Sequence, residues 1–210
     1  GRYRDLISFN LSGYSSSAQV NKATLSLCWY YPTNSRQNDT IIEIYRPAAS
    51  WDPGYVSWNM RNNASSWNNP GGDWHDKNGI LQGSTPYTTL TVKADSLPSN
   101  TSCELNVTDL VKEYISGKYV NTGILIKARS ESNNYIAFYS ADCGNASRVP
   151  KLNVTKKETV NTTLTGAKDN RLRESSPAGV FGTDSYLDVG GLSGRYRDLI
   201  SFNLSGYSSS

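Results

Sequence analysis

Apolar and polar residues alternate along much of the chain. In residues 3–11, Ile7, Phe9 and Leu11 fall on one side, the period-two signature of a half-buried strand. Residues 23–31 place Leu25, Leu27 and Trp29 together in the same way. Further runs at 39–46, 87–94, 103–107, 122–129, 134–140 and 151–155 predict more strands, with Gly, Pro, Asn and Ser clusters between them. Many short strands divided by turn signals predict an all-β fold, an antiparallel jelly-roll-like β-sandwich. One stretch has helical spacing instead: Leu110, Val111, Tyr114 and Ile115 share a face, Thr108 is placed to N-cap, Asp109 sits in the first turn and Gly117 ends the run. Two turns of helix do not stand alone, so this short helix is expected to cap one end of the sandwich. Residues 51–83 follow neither period and hold Trp51, Trp58, Trp67 and Trp74, four of the five tryptophans.

The chain repeats itself. Residues 1–17, GRYRDLISFNLSGYSSS, recur without change as residues 194–210, which sets a period of 193 residues. Solenoid repeats are roughly 20–50 residues long, so here each repeat is a whole domain and an array of them is a row of beads.

Composition narrows the class. The 210 residues carry 21 Lys plus Arg against 18 Asp plus Glu, a net charge of +3, too mild for the dense basic face that nucleic acid requires. Ser, Thr and Asn number 29, 16 and 20, and with 14 Tyr and 17 Gly they suit a secreted β protein with long loops. No apolar run approaches the roughly 18 residues of a membrane-spanning helix.

At DNRLRESSP (169–177) the sequence resembles the DNRLRE domain, or disaggregatase-related repeat, of surface and secreted proteins of methanogenic archaea. The likeness continues through YLDVGG (186–191), YRDLISFNLS, ATLSLCWYYP, EIYRPAASWDPGYVSWN, GGDWHDKNG, TDLVKEYISGKYVNTGILIKAR, NNYIAFYSAD and PKLNVT, nearly a full period. The resemblance implies a β-sandwich of the carbohydrate-binding-module type, often in tandem and sometimes attached to polysaccharide-degrading enzymes.

In that family the DNRLRE and YLDVG segments precede YRDLISF, whereas here they follow the last strand. The expected organisation is therefore a sandwich over 1–158 that lacks its own first strands, a linker over 159–165, and the first strands of the next repeat over 166–210. An open sheet edge leaves backbone donors and acceptors unpaired, so the missing strands are expected from the preceding copy. Either one long polypeptide carries many repeats, which the unchanged duplication favours, or separate subunits exchange strands by β-augmentation. Both routes grow head to tail without closing, which makes a filament or sheath of identical neighbours at the cell surface. Leu172, Val180, Phe181, Tyr186, Leu187 and Val189 are the expected apolar contacts of the incoming segment.

Other features bear on chemistry. Asn-x-Ser/Thr sequons occur at Asn10, Asn38, Asn63, Asn100, Asn106, Asn145, Asn153, Asn161 and Asn203, against about four expected by chance from this composition. Several are expected to carry glycan, although Asn and Thr also suit turns and strands for their own reasons. Trp51, Tyr55, Trp58, Trp67 and Trp74, with Asp52, Asp73 and Asp76 nearby, form a candidate glycan platform. The same rings can instead pack the long loop onto the sandwich. Cys28, Cys103 and Cys143 admit a pair such as Cys103–Cys143 or three unrelated thiols. Glu43, Asp52, Asp73 and Asp76 are the carboxylates available for a glycosidase-type dyad, but no spacing selects two of them. His75 is the only histidine, so a multi-histidine metal site is excluded. No enzymatic activity and no cofactor are expected; structural calcium at Asp184 and Asp188 is the one metal reading the loops offer.

Overall fold

The structure, a computed structural model, describes residues 2–14, 16–17, 20–31, 38–94, 102–132, 134–157, 168–173, 175–178, 180, 190–191 and 195–201. The chain divides into two compact units, Gly1–Glu158 and Thr159–Ser210.

The first unit is an all-β sandwich. One antiparallel sheet places β1 (Arg4–Ile7) at its edge, then β7 (Ile124–Ala128), then β3 (Thr40–Pro47), with β5 (Thr88–Val92) and the two-residue β4 (Trp74–His75) both paired to β3. The other sheet is built on the long β2 (Val20–Tyr31), which pairs with β6 (Ser102–Asn106), β9 (Lys151–Lys156) and, at its far end, β8 (Ala137–Phe138). All of these strands except β4 fall on the alternating runs of the sequence.

Side chains meeting between the sheets explain the alternation. Leu25, Leu27 and Trp29 of β2 pack with Ile42 and Ile44 of β3, Leu105 of β6, and Ile124 and Ile126 of β7. Each such residue, fully buried, contributes about 1.5–3 kcal/mol. Ile7, Phe9 and Leu11 join this core from one end.

The helix α1 (Thr108–Ile115) buries Leu110, Val111 and Tyr114 against that core and ends at Gly117, whose φ of +74° suits glycine. Its start differs from expectation. Thr108 is the first helical residue rather than the cap, and no side chain caps the helix at Val107. The Thr108 hydroxyl is used elsewhere: it accepts from the Ala23 N–H at 2.9 Å and donates to Asn106 Oδ1 at 2.6 Å, tying the helix start to β2.

β3 is buried on both faces, which alternation alone does not predict. The cause is the long segment over 48–86, which folds across the outer face of the β1–β7–β3 sheet. Trp74 packs at a tilt against Tyr45, with ring centroids 5.5 Å apart. Beneath it, Arg4, Lys127 and Glu43 stand in a row across three strands.

The second unit contains a three-stranded antiparallel sheet in the order β10 (Lys168–Arg173), β12 (Arg195–Ser201), β11 (Gly190–Gly191). The DNRLR sequence thus pairs with the second copy of YRDLIS, Arg171 opposite Asp198 and Asn170 opposite Leu199. The expected linker over 159–165 lies outside the described residues.

Candidate functional site

The feature with most capacity for binding is the open side of the first unit. β1 pairs with β7 along one edge, and among the described residues no strand pairs with its other edge. Beside β1 runs a groove of about 670 Å³, lined by Arg4 to Phe9 from one sheet, Phe138 to Asp142 from the other, and Trp51 and Trp58 from the long segment. Leu27, Leu125 and Ile126, all core residues, reach its wall. A groove beside a strand edge is a place where an extended segment can add by backbone pairing.

Asp5 stands at this edge. By alternation it shares the core-facing side of β1 with Ile7, opposite Ile126 of β7, and it lines a smaller cavity together with Ile42, Ile126 and Phe138. The side chain remains accessible from the open side, yet the surrounding protein mass desolvates it and raises the carboxyl above its usual value. Among the described residues no hydrogen bond or opposite charge offsets that rise.

On the outer face, Arg4 fixes the long segment to the strand. Its Nε and Nη2 donate to the two Glu131 oxygens at 2.7 and 2.9 Å, and its Nη1 donates to the Gly71 carbonyl at 2.9 Å. The guanidinium also lies over Trp58 and Trp74, 5.0 and 5.3 Å from their ring centroids. Gly71 is required here. Its φ is +95°, and a Cβ would fall 2.7 Å from both Arg4 Nη1 and the Trp58 ring.

The five rings of the candidate platform do not share one exposed face. Trp67 is 5% exposed and donates its indole N–H to the Ser57 carbonyl. Trp51 donates to the Thr122 carbonyl and Trp74 to the Gly83 carbonyl. Tyr55 and Trp58 are exposed at 58% and 37%, but Trp58 already carries Arg4 and Arg2. Most of these rings pack the segment onto the sheet.

The carboxylates considered for chemistry are bound up in structure. Asp73 accepts from the backbone N–H groups of Asn68 and Asn69 and from the side chains of Asn69 and Gln82. Burial alone would raise its carboxyl, but these donors outweigh it and hold the group below its usual value. Asp76 behaves alike: burial opposes ionisation, while the N–H groups of Ile80, Thr85 and Asn78 lower the carboxyl. Glu43 is buried too, and Arg129, Tyr45 and Lys127 together lower it against that cost. Asp52 accepts from the Gly54 N–H at 2.9 Å in a local turn. His75 pairs with Arg46 across β4 and β3, and burial followed by the Arg46 charge lowers its pKa. Among the described residues no three His, Cys, Asp or Glu side chains converge as a metal site. Asp184 and Asp188 lie outside the described residues.

Cys28, Cys103 and Cys143 are all free thiols. Cys103 lies opposite Leu27 and joins the core, so Cys28 points to the other face of the sheet. The sequon residues Asn10, Asn38, Asn63, Asn106, Asn145 and Asn153 are exposed, whereas Asn100, Asn161 and Asn203 lie outside the described residues. Of the expected inter-repeat contacts, Leu172 lies in β10 opposite Arg197, and Val180 is 84% exposed. Phe181, Tyr186, Leu187 and Val189 lie outside the described residues.

Sequence reasoning passed over Asp5 and Arg4. A signal for Asp5 was present, since a carboxylate two residues before Ile7 falls on the core side of the strand. Nothing local marks Arg4, whose partners come from residues 71 and 131. No helix among the described residues is long and apolar enough to cross a membrane. No curated protein significantly matches the chain. Residues 1–154 do match a family, spanning nearly all of the first unit and leaving 168–191 outside the match. An all-β sandwich, in a chain that repeats its own first strand, accords with that match: the chain belongs to the disaggregatase related repeat domain family.

Proposed function

We propose that the chain is a non-catalytic structural repeat of an extracellular or cell-surface filament or sheath, joined head to tail to identical copies. The observation that carries this reading is the pairing of DNRLR with the second YRDLIS strand, while among the described residues the first copy of that strand is paired along one edge alone. Each sandwich then folds by accepting a segment that belongs, in sequence, after the previous one. Folding and linkage share the same backbone hydrogen bonds, and growth by such a contact does not close. The engagement of Glu43, Asp73 and Asp76 by internal donors supports a role without catalysis. The exposed sequon asparagines support a glycosylated surface facing the outside of the cell.

The test is the mass of native material on a denaturing, reducing gel, with electron microscopy of the undenatured sample. Filaments are expected, built either from a polypeptide of many periods or from subunits near one period in mass. Dispersed single copies in the native sample would overturn the reading.

A second reading, a module that holds a surface polysaccharide, is favoured by Tyr55 and Trp58, which stay exposed in and beside the groove. It requires that Trp58→Ala abolish glycan binding while the fold survives.

A further inference from the structure

We infer that the open edge of β1 accepts a strand of sequence DNRLR from another copy in one fixed register, and that Asp5 selects that strand by requiring an arginine, the counterpart of Arg171, directly opposite. The inference rests on the head-to-tail reading and names its joint.

The register comes from the molecule itself. Residues 194–210 repeat residues 1–17, so Arg197, Asp198, Leu199 and Ile200 are the second copies of Arg4, Asp5, Leu6 and Ile7. In the second unit those residues pair with Leu172, Arg171, Asn170 and Asp169. The same strand sequence in the first unit has β7 along one edge and nothing along the other among the described residues. Transferred unchanged, the pairing sets an arginine against Asp5, and directly opposite residues of an antiparallel pair project to the same face.

Asp5 gives the register its chemistry. A charged group on the core side of an edge strand disfavours arbitrary strands, because any apolar residue placed opposite leaves the carboxylate desolvated and unpaired. Among the described residues no donor or cation of the first unit is paired with the Asp5 carboxylate, and burial pushes its carboxyl above the usual value. An arginine in that position supplies the missing charge and up to two hydrogen bonds. A slip by one residue turns the incoming strand over, so the arginine leaves the face of Asp5 and the match is lost. The edge therefore carries both attraction for the correct strand and repulsion for others. A groove of about 670 Å³ lies beside this edge, lined by Arg4 to Phe9 and by Trp51 and Trp58.

The experiment uses the whole chain, at concentrations where it sediments as single copies, and a fluorescent synthetic peptide of residues 166–193. Binding is followed by anisotropy. The peptide is expected to bind the unaltered chain, and Asp5→Arg is expected to weaken binding about ten-fold or more. A peptide carrying Arg171→Glu should bind the unaltered chain poorly and regain affinity for the Asp5→Arg chain. Asp5→Asn, which removes the charge with little change of shape, should weaken binding even if Asp5→Arg disturbs folding. Asp198→Arg serves as the control for exchange into the second unit and should leave the Asp5-dependent binding in place. Absence of binding, or binding that follows Asp198 and ignores Asp5, overturns the inference. Copies of the Asp5→Arg chain that still join head to tail overturn the register and leave the assembly reading standing. Chains that neither take the peptide nor join overturn both.

Discussion

Arg4 and Glu131 form a two-pronged ion pair, with Nε to Oε1 at 2.7 Å and Nη2 to Oε2 at 2.9 Å, between side chains that are each 11% exposed. The pair ties the edge strand to the turn after β7, and the same guanidinium holds the Gly71 carbonyl. Removing one partner strands a charge in a poorly hydrated place. Arg4→Ala and Glu131→Gln should each cost about 2–4 kcal/mol, near the range for breaking a buried pair. Denaturant unfolding followed by tryptophan fluorescence measures this. A loss under about 0.5 kcal/mol would show that solvent replaces the pair at little cost.

Gly71 makes a stricter case. A methyl group there meets the Arg4 guanidinium and the Trp58 ring at 2.7 Å, on a backbone whose φ of +95° side chains rarely adopt. Gly71→Ala should therefore destabilise by about 2 kcal/mol or more. Gly13, where a Cβ would meet nothing within 4 Å, provides the contrast, and Gly13→Ala should be nearly silent in the same denaturant unfolding.

These contacts show where the sequence was readable. Alternation located the strands of both sheets, because Leu25, Leu27 and Trp29 face a core and their neighbours do not. It could not foresee that β3 is covered on both sides, since the cover comes from residues 48–86 and has no period of its own. The tryptophans there were visible as a cluster. Whether they face solvent or the sheet depends on Arg4, Tyr45 and Thr122, which lie far away in sequence. The start of α1 failed for a similar reason, as the Thr108 hydroxyl is engaged by Ala23 and Asn106 rather than by the helix. Asp5 is the opposite case: alternation assigns its face, and its consequence depends on an edge of β1 to which no strand pairs among the described residues.

Acid should weaken the anchoring of the long segment. Asp73 and Asp76 are held below their ordinary carboxyl values by the donors around them, so the folded state binds protons less readily than the unfolded chain. Their contribution is complete above the unfolded carboxyl pKa and is lost as pH falls through the lowered folded values. Glu43 acts in the same sense beneath Trp74. Asp5 acts in the opposite sense, since its raised carboxyl makes the folded state bind a proton more readily. The three lowered groups outnumber it, so stability should fall as pH is taken below about 4. Asp73→Asn should lower stability at neutral pH and flatten the acid limb. Thermal melts across pH check both, and an unchanged acid limb would contradict the assignment.

The thiols predict how copies are and are not joined. Cys103 faces the core opposite Leu27, while Cys28 lies one residue further along β2 on the other face, so these two cannot be bridged without turning a strand over. Burial, with lesser contributions from Glu104 and Cys28, raises the Cys103 thiol and makes it slow to react. Cys143, half-exposed in the turns before β9, is the accessible thiol. A thiol reagent applied to the native chain should therefore label Cys143 first, with the other two following only on unfolding; mass spectrometry with time reads this directly. If copies join through strand pairing at β1, reducing agent should leave the joints intact, and Cys143→Ser should assemble as the unaltered chain does. Assemblies that fall apart on reduction, with stability of the single chain unchanged, would place the joint at Cys143 instead of at the edge of β1.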